Sequence, residues 1–104
     1  MITGLHHVAI SVPDLEKAVD FYHETLGFEK TFDSKWEGDR PKSDRVIGLS
    51  QTHAKVQMLN AGNAFIELWE YQQPSPLPQD DKYSPADHGI AHIALQVTNI
   101  EEEY

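Results

Sequence analysis

The stretch Gly4-Leu5-His6-His7-Val8-Ala9-Ile10-Ser11-Val12-Pro13-Asp14-Leu15-Glu16 decides the fold, because its pattern returns later in the chain. It can be laid without a gap over Gly89-Ile90-Ala91-His92-Ile93-Ala94-Leu95-Gln96-Val97-Thr98-Asn99-Ile100-Glu101. The offset is 85 residues, which is the separation of His7 from His92. A repeat of this kind indicates two copies of one structural unit.

Within each copy, apolar residues alternate with small or polar ones, which is typical of a strand with one buried face. In the first copy the core face carries Val8, Ile10 and Val12, and the opposite face carries His7, Ala9 and Ser11. In the second copy the predicted core face carries Ile93, Leu95 and Val97, and the opposite face carries His92, Ala94 and Gln96.

The segment after the first strand predicts an amphipathic helix. Asp14 can cap its start and Gly27 ends it, while apolar residues recur at helical spacing between them at Leu15, Ala18, Val19, Tyr22 and Leu26. Residues 28–32 indicate a short second strand. Residues 33–44 lack periodicity and predict a surface loop.

Two further strands are predicted at residues 55–59 and 64–69, joined by the turn-forming residues 60–63. The chain therefore divides into a first βαβββ module at residues 1–71, a proline-rich linker at 72–88, and the incomplete start of a second module at 89–104. We expect an α+β fold.

Composition excludes several classes of partner. The chain has 8 Lys and Arg against 17 Asp and Glu, and a net charge of −9 disfavours nucleic acid and anionic membrane surfaces. It contains no cysteine and no long apolar run, and its N-terminus carries no signal-peptide pattern. We expect a cytoplasmic protein that neither binds nor crosses a membrane.

Three potential metal ligands are predicted on the faces opposite the core: His7, Glu67 and His92. Glu67 lies between Phe65 and Trp69 on a strand whose other face carries Ile66 and Leu68, so a carboxylate there needs an explanation. A lone strand histidine is more often a satisfied structural residue. Two histidines at matched repeat positions, with a carboxylate, instead favour a divalent ion such as zinc, nickel, cobalt, iron or manganese.

Five segments carry a wider pattern: His7-Val8-Ala9-Ile10-Ser11-Val12-Pro13-Asp14-Leu15, Phe21-Tyr22, Leu26-Gly27-Phe28, Phe65-Ile66-Glu67-Leu68 and His92-Ile93-Ala94-Leu95-Gln96-Val97. This pattern resembles the metal site of glyoxalase I and its relatives in the vicinal oxygen chelate superfamily, which includes bleomycin resistance proteins and extradiol dioxygenases. The resemblance covers nearly the whole chain.

The resemblance implies paired βαβββ modules, whose strands form a curved mixed sheet around a metal-binding cleft, with the second module truncated here. It implies that His7, Glu67 and His92 are metal ligands. The family's fourth ligand, a glutamate on the last strand of the second module, has no counterpart among these residues.

The resemblance leaves three functions open. The first is a metal-dependent lyase or isomerase of the glyoxalase type, in which Glu67 serves as ligand or base toward a small carbonyl or thioester substrate. The second is an Fe(II)-dependent extradiol dioxygenase. The third is a non-catalytic resistance protein that sequesters a small molecule, a class that often lacks these ligands.

Two expectations concern partners. A strand in an incomplete second module leaves an open sheet edge, which predicts a homodimer. The cations Arg40, Lys42 and Arg45 can meet either an anionic substrate or water, and the sequence does not choose between these.

Overall fold

The computed structural model describes residues 1–103. Its strands are β1 (His7–Ser11), β2 (Glu29–Glu37), β3 (His53–Asn60) and β4 (Phe65–Gln73). Its helices are α1 (Leu15–Asp20), which continues as a π-helical segment (Phe21–Thr25), α2 (Pro41–Ile47) and α3 (Ile100–Glu103). The order of elements confirms the predicted βαβββ module, with one additional helix, α2, between β2 and β3.

The strands form one mixed sheet in the order β1-β4-β3-β2. β1 runs parallel to β4, whereas β3 is antiparallel to both β2 and β4. The first strand therefore lies beside the last strand of the module, and the α1 helix makes the crossover that this arrangement needs. The predicted α+β class is confirmed.

One face of the sheet is covered by α1 and its π-helical continuation. Asp14 caps the helix by accepting a hydrogen bond from the Lys17 backbone N–H at 3.1 Å, as the sequence predicts. The buried residues of this layer are Phe28, Leu59, Ile66 and Leu68, and Val8, Ile10 and Val12 pack against them with the apolar residues of the helix. The predicted core face of β1 is confirmed.

Residues 33–44 differ from the predicted surface loop. β2 continues to Glu37, because its backbone pairs with β3 along the whole length and brings Trp36 opposite Ala54. Trp36 is buried there. Pro41 then lies in the first turn of α2 and Gly48 ends that helix with a φ of 73°. The second strand was predicted at residues 28–32, but charged side chains mask the alternation beyond them, so the sequence pattern missed the second half of β2 and the α2 helix.

The predicted strand at residues 90–97 is wrong for this structure. These residues form no strand, and Ile93, Leu95 and Val97 are 41%, 46% and 42% exposed instead of forming a second core face. Their counterparts in β1 pair with β4, and within the described chain no equivalent of β4 follows residue 97. A strand pattern without a hydrogen-bonding partner does not become a strand.

The predicted linker begins slightly later than residue 72, because β4 runs to Gln73. Residues 74–99 contain turns but neither a strand nor a helix. The predicted start of the second module, residues 89–104, falls within the described part of the chain except for its last residue.

A membrane-spanning helix, long and apolar enough to cross a bilayer, does not occur among residues 1–103.

Candidate active site

His7 and Glu67 lie together on the open face of the sheet, opposite α1. In the parallel pairing of β1 with β4, His7 lies beside Phe65, and Ala9 lies beside Glu67. The side chains of His7 and Glu67 are therefore diagonal neighbours. The distance from His7 Nε2 to Glu67 Oε1 is 3.7 Å, and the side chains are 38% and 16% exposed. The structure therefore brings together two of the three predicted ligands.

The Glu67 carboxylate is oriented by its neighbour on the same face of β4. Trp69 Nε1 donates a hydrogen bond to Glu67 Oε1 at 2.6 Å. Side chains two residues apart on a strand project from the same face, so this contact follows from the strand conformation and the length of the indole. The bond engages one carboxylate oxygen and leaves Oε2 available to a metal ion or to a substrate proton.

His6 also contributes to the site, although the sequence assigns it no role. Its Nδ1 lies 2.7 Å from His7 Nδ1, and its ring stacks on Phe65. One of the two nitrogens must donate and the other accept. In the tautomer in which His7 Nδ1–H donates, the lone pair of His7 is on Nε2, the nitrogen nearer Glu67, which is the state that binds a metal ion.

A cavity of about 620 Å³ opens in front of this pair. Strands β1 and β4 and helix α2 line it, with the residues His7, Ala9, Ser11, Lys42, Ser43, Val46, Ile47, Glu67, Trp69 and Tyr71. The small side chains of Ala9 and Ser11 leave room beside the histidine, and α2 forms the facing wall. This volume is that of a small-molecule site.

Tyr71 places a neutral hydroxyl in the cavity. Burial raises the pKa of this hydroxyl above its usual value of 10.0, and the negative charge of Glu67 raises the pKa further. Tyr71 is therefore protonated at neutral pH and can donate a hydrogen bond. Sequence analysis missed it, although the alternation Glu67, Trp69, Tyr71 along β4 carries the signal.

The cations Arg40, Lys42 and Arg45, which the sequence left unassigned, have different surroundings in the structure. Lys42 lines the cavity from α2. Arg40 instead lies over the ring of Trp36, with its guanidinium carbon 5.1 Å from the ring centroid. Arg45 lies on the exposed side of the same helix and does not line the cavity. Of these three cations, Lys42 is therefore the one that lines the cavity.

A buried hydrogen-bond chain fixes α2 over the sheet. Trp36 Nε1 donates to Thr52 Oγ1 at 2.9 Å, and the Thr52 hydroxyl donates to a carboxylate oxygen of Asp44 in α2. Thr52 and Asp44 are 0% and 7% exposed. A buried carboxylate that accepts a hydrogen bond costs less to bury than an unpaired one, so this chain holds the helix in a defined position.

His92 is not brought to the other two ligands. It is exposed and lies in the irregular segment that was predicted to be a strand. Among residues 1–103, no three His, Cys, Asp or Glu side chains are grouped so that they could hold a metal ion. His7 and Glu67 have the donor chemistry for a borderline divalent ion and could supply two of its ligands. Ligation by His92 stays a prediction.

The chain matches a known protein family over nearly its whole length. Residues 4–104 match the family model described as Glyoxalase/Bleomycin resistance protein/Dioxygenase superfamily. A solved structure of a glyoxalase family protein from Bacillus cereus superposes with a TM-score of 0.82 at 23% identity, covering 99% of this chain and 68% of that one. The trypanothione-dependent glyoxalase I of Leishmania major gives a TM-score of 0.61 at 22% identity, covering 98% and 62%. These structures show the fold.

Relatives of higher identity are epimerases. A 2-epi-5-epi-valiolone epimerase from an Actinomyces species is 32% identical over 100 residues, which cover 94% of this chain and 54% of the relative. Mitochondrial methylmalonyl-CoA epimerase of Mus musculus is 32% identical over 97 residues, covering 92% and 47%. An ethylmalonyl-CoA/methylmalonyl-CoA epimerase of Cereibacter sphaeroides is 34% identical over 101 residues, covering 96% and 65%.

The chain spans about half the length of the first two of these relatives and about two thirds of the third. Its match to the family model nevertheless extends over almost all of its residues. The chain belongs to the Glyoxalase/Bleomycin resistance protein/Dioxygenase superfamily.

Proposed function

We propose that this protein is a metal-dependent isomerase of the epimerase type, which moves a proton at the carbon next to the carbonyl of a small carbonyl or thioester compound. The observation that carries the proposal is the imidazole and carboxylate pair, His7 and Glu67, facing a cavity of about 620 Å³. The relatives named as epimerases favour this reaction over a glyoxalase-type lyase.

His7 Nε2 and the Glu67 carboxylate would hold a divalent ion, and His92 would complete the set when its segment lies along the sheet. When bound, the ion supplies electrophilic polarisation of the substrate carbonyl, which acidifies the adjacent C–H bond. The partly buried position of Glu67 strengthens these electrostatic interactions relative to water.

The chain's own residues supply the remaining functions. Glu67, with one oxygen held by Trp69, presents the other oxygen for metal binding or for carrying the substrate proton. The neutral Tyr71 hydroxyl donates a hydrogen bond to a substrate oxygen. Lys42, on the facing wall, attracts an anionic group of the substrate in a protein whose net charge of −9 otherwise repels it.

Exchange of the substrate's C–H proton with solvent tests the reaction directly. Methylmalonyl-CoA in D2O is incubated with the chain and each of Zn²⁺, Ni²⁺, Co²⁺, Mn²⁺ and Fe²⁺, and loss of the C–H signal is followed by ¹H NMR. We expect exchange with at least one ion, and its loss in both His7→Ala and Glu67→Gln. Absence of exchange with this probe and with a cyclic ketone, despite a bound metal ion, would contradict the proposed reaction.

We also propose that the chain acts as a homodimer. β1 is an edge strand of the sheet, and Ile93, Leu95 and Val97 are half-exposed apolar side chains in a segment that repeats its pattern. Such an edge recruits a second strand. Light scattering coupled to size exclusion is expected to give the mass of two chains, whereas a monomer mass over a range of concentrations would contradict the dimer.

A further inference from the structure

The indole of Trp69 contacts two other aromatic rings. Tyr71 stacks on it, with ring centroids 5.3 Å apart and an interplanar angle of 13°. Trp36 contacts it edge-on, at 5.5 Å and 90°. An aromatic ring packed against two others has little rotational freedom, so the direction of its N–H bond is set by the fold.

That N–H bond is directed at Glu67 Oε1, which it reaches at 2.6 Å. A hydrogen bond to an ionised carboxylate is shorter and stronger than one between neutral groups. The hydrogen bond from Trp69 therefore selects one rotamer of Glu67 and one of its oxygens. His7 Nε2 lies 3.7 Å from this same oxygen. The result is a carboxylate that is oriented before any metal ion or substrate arrives.

We propose that Trp69 is a positioning residue, whose indole N–H fixes the Glu67 carboxylate for metal binding and proton transfer. This inference rests on the proposed function, because it assigns Trp69 a task in that site. Groups that hydrogen-bond a metal ligand from outside set its orientation and basicity, and their removal typically lowers metal affinity or activity by about 10–100-fold.

The matched test uses the two tryptophans of the chain. Trp69→Phe keeps an aromatic ring at this position but removes the N–H bond to Glu67. Trp36→Phe removes an N–H bond that is donated to Thr52 instead. In calorimetric titrations with Zn²⁺, we expect Trp69→Phe to lower affinity by about 10–100-fold. Trp36→Phe is expected to stay close to the parent. Equal affinity of Trp69→Phe and the parent would overturn the inference.

A second readout depends on neither metal nor turnover. The ¹H–¹⁵N spectrum of the chain contains two indole signals, and Trp36→Phe identifies the one from Trp69. We expect this signal to lie downfield and to move upfield in Glu67→Gln, because a neutral amide oxygen is a weaker acceptor than a carboxylate. An unchanged Trp69 signal would overturn the inference.

The two proposals fail in distinguishable ways. If the parent binds metal and exchanges the substrate proton, but Trp69→Phe does both equally well, the positioning role is wrong and the proposed function stands. If the parent neither binds a metal ion nor exchanges the proton, the proposed function is wrong, and the positioning role fails with it.

Discussion

His7 Nε2 and Glu67 Oε1 lie 3.7 Å apart across the parallel pairing of β1 with β4. The two residues are 60 positions apart in sequence, and only the crossover through α1 makes their strands adjacent. A divalent ion bound between them would replace this direct contact by two metal–ligand bonds.

The first prediction concerns metal affinity. His7→Ala and Glu67→Gln each remove a ligand, so both should lower affinity by more than the roughly 10–100-fold that loss of an outer partner costs. Elemental analysis and calorimetric titration measure this. His88→Ala, at an exposed histidine outside the cavity, serves as the control.

The same measurement decides the role of His92. If its segment joins the sheet on metal binding, His92→Ala should lose metal as His7→Ala does. If His7→Ala, Glu67→Gln and His92→Ala all keep the metal stoichiometry of the parent, the ion is held elsewhere.

The second prediction concerns Lys42. Lys42→Ala removes the cation on the cavity wall, so KM for an anionic substrate should rise roughly fivefold with kcat little changed, the size typical of an exposed ion pair. Added salt should raise the KM of the parent more than that of the variant, because it screens the attraction. Arg45→Ala, on the same helix but outside the cavity, should behave as the parent. An equal rise in KM for both variants would indicate a general charge effect.

The third prediction concerns the buried chain beneath α2. Thr52→Val keeps the side-chain shape but leaves the Asp44 carboxylate and the Trp36 N–H without their partner. The free energy of unfolding should fall by about 1–3 kcal/mol, measured by urea denaturation. Thr31→Val removes an exposed hydrogen bond to Met58 O and should change stability by less than about 0.5 kcal/mol. A similar loss of unfolding free energy in Thr52→Val and Thr31→Val would contradict the larger contribution expected of the buried hydrogen bonds.

The fourth prediction concerns the core between the sheet and α1. Leu68 is 0% exposed, and Leu68→Ala should lower the free energy of unfolding by about 2–5 kcal/mol through lost contacts and a cavity. Leu77 is 94% exposed, so Leu77→Ala should cost less than about 0.5 kcal/mol. Denaturation of the two variants measures the difference, and a small loss for Leu68→Ala would mean that the helix layer closes over the gap.

The fifth prediction concerns alkaline pH. Burial raises the folded-state pKa of Tyr71 above its ordinary value of 10.0, and Glu67 adds to this rise, so the folded chain holds the proton more tightly than the unfolded chain. The resulting stability is fully present below the unfolded pKa and is lost as pH rises through the folded pKa. Denaturation on both sides of pH 10.0 should therefore show a smaller alkaline loss in Tyr71→Phe than in the parent.

Glu67→Gln separates the two causes of this shift. This variant removes the negative charge but not the burial, so the pKa of Tyr71 should fall only partly toward its ordinary value. The absorbance of tyrosinate measures this pKa. An identical alkaline stability profile in the parent and Tyr71→Phe would contradict the raised pKa of Tyr71.

The sequence alone determined the module and the faces of its strands. Alternation in β1 placed Val8, Ile10 and Val12 on the core and His7 on the opposite face, and the same period in β4 separated Leu68 from Glu67. These are local properties, because a strand's side chains alternate whatever its partner.

Only the tertiary structure decided which residues share the cavity. β2 became a long strand and α2 became a wall because β3 supplied a hydrogen-bonding partner and buried Trp36, Thr52 and Asp44. The same dependence on partners kept residues 90–97 from forming a strand and left His92 apart from His7. Sequence periodicity fixes the face on which a side chain lies, whereas its neighbours across the sheet depend on pairing between residues far apart in the chain.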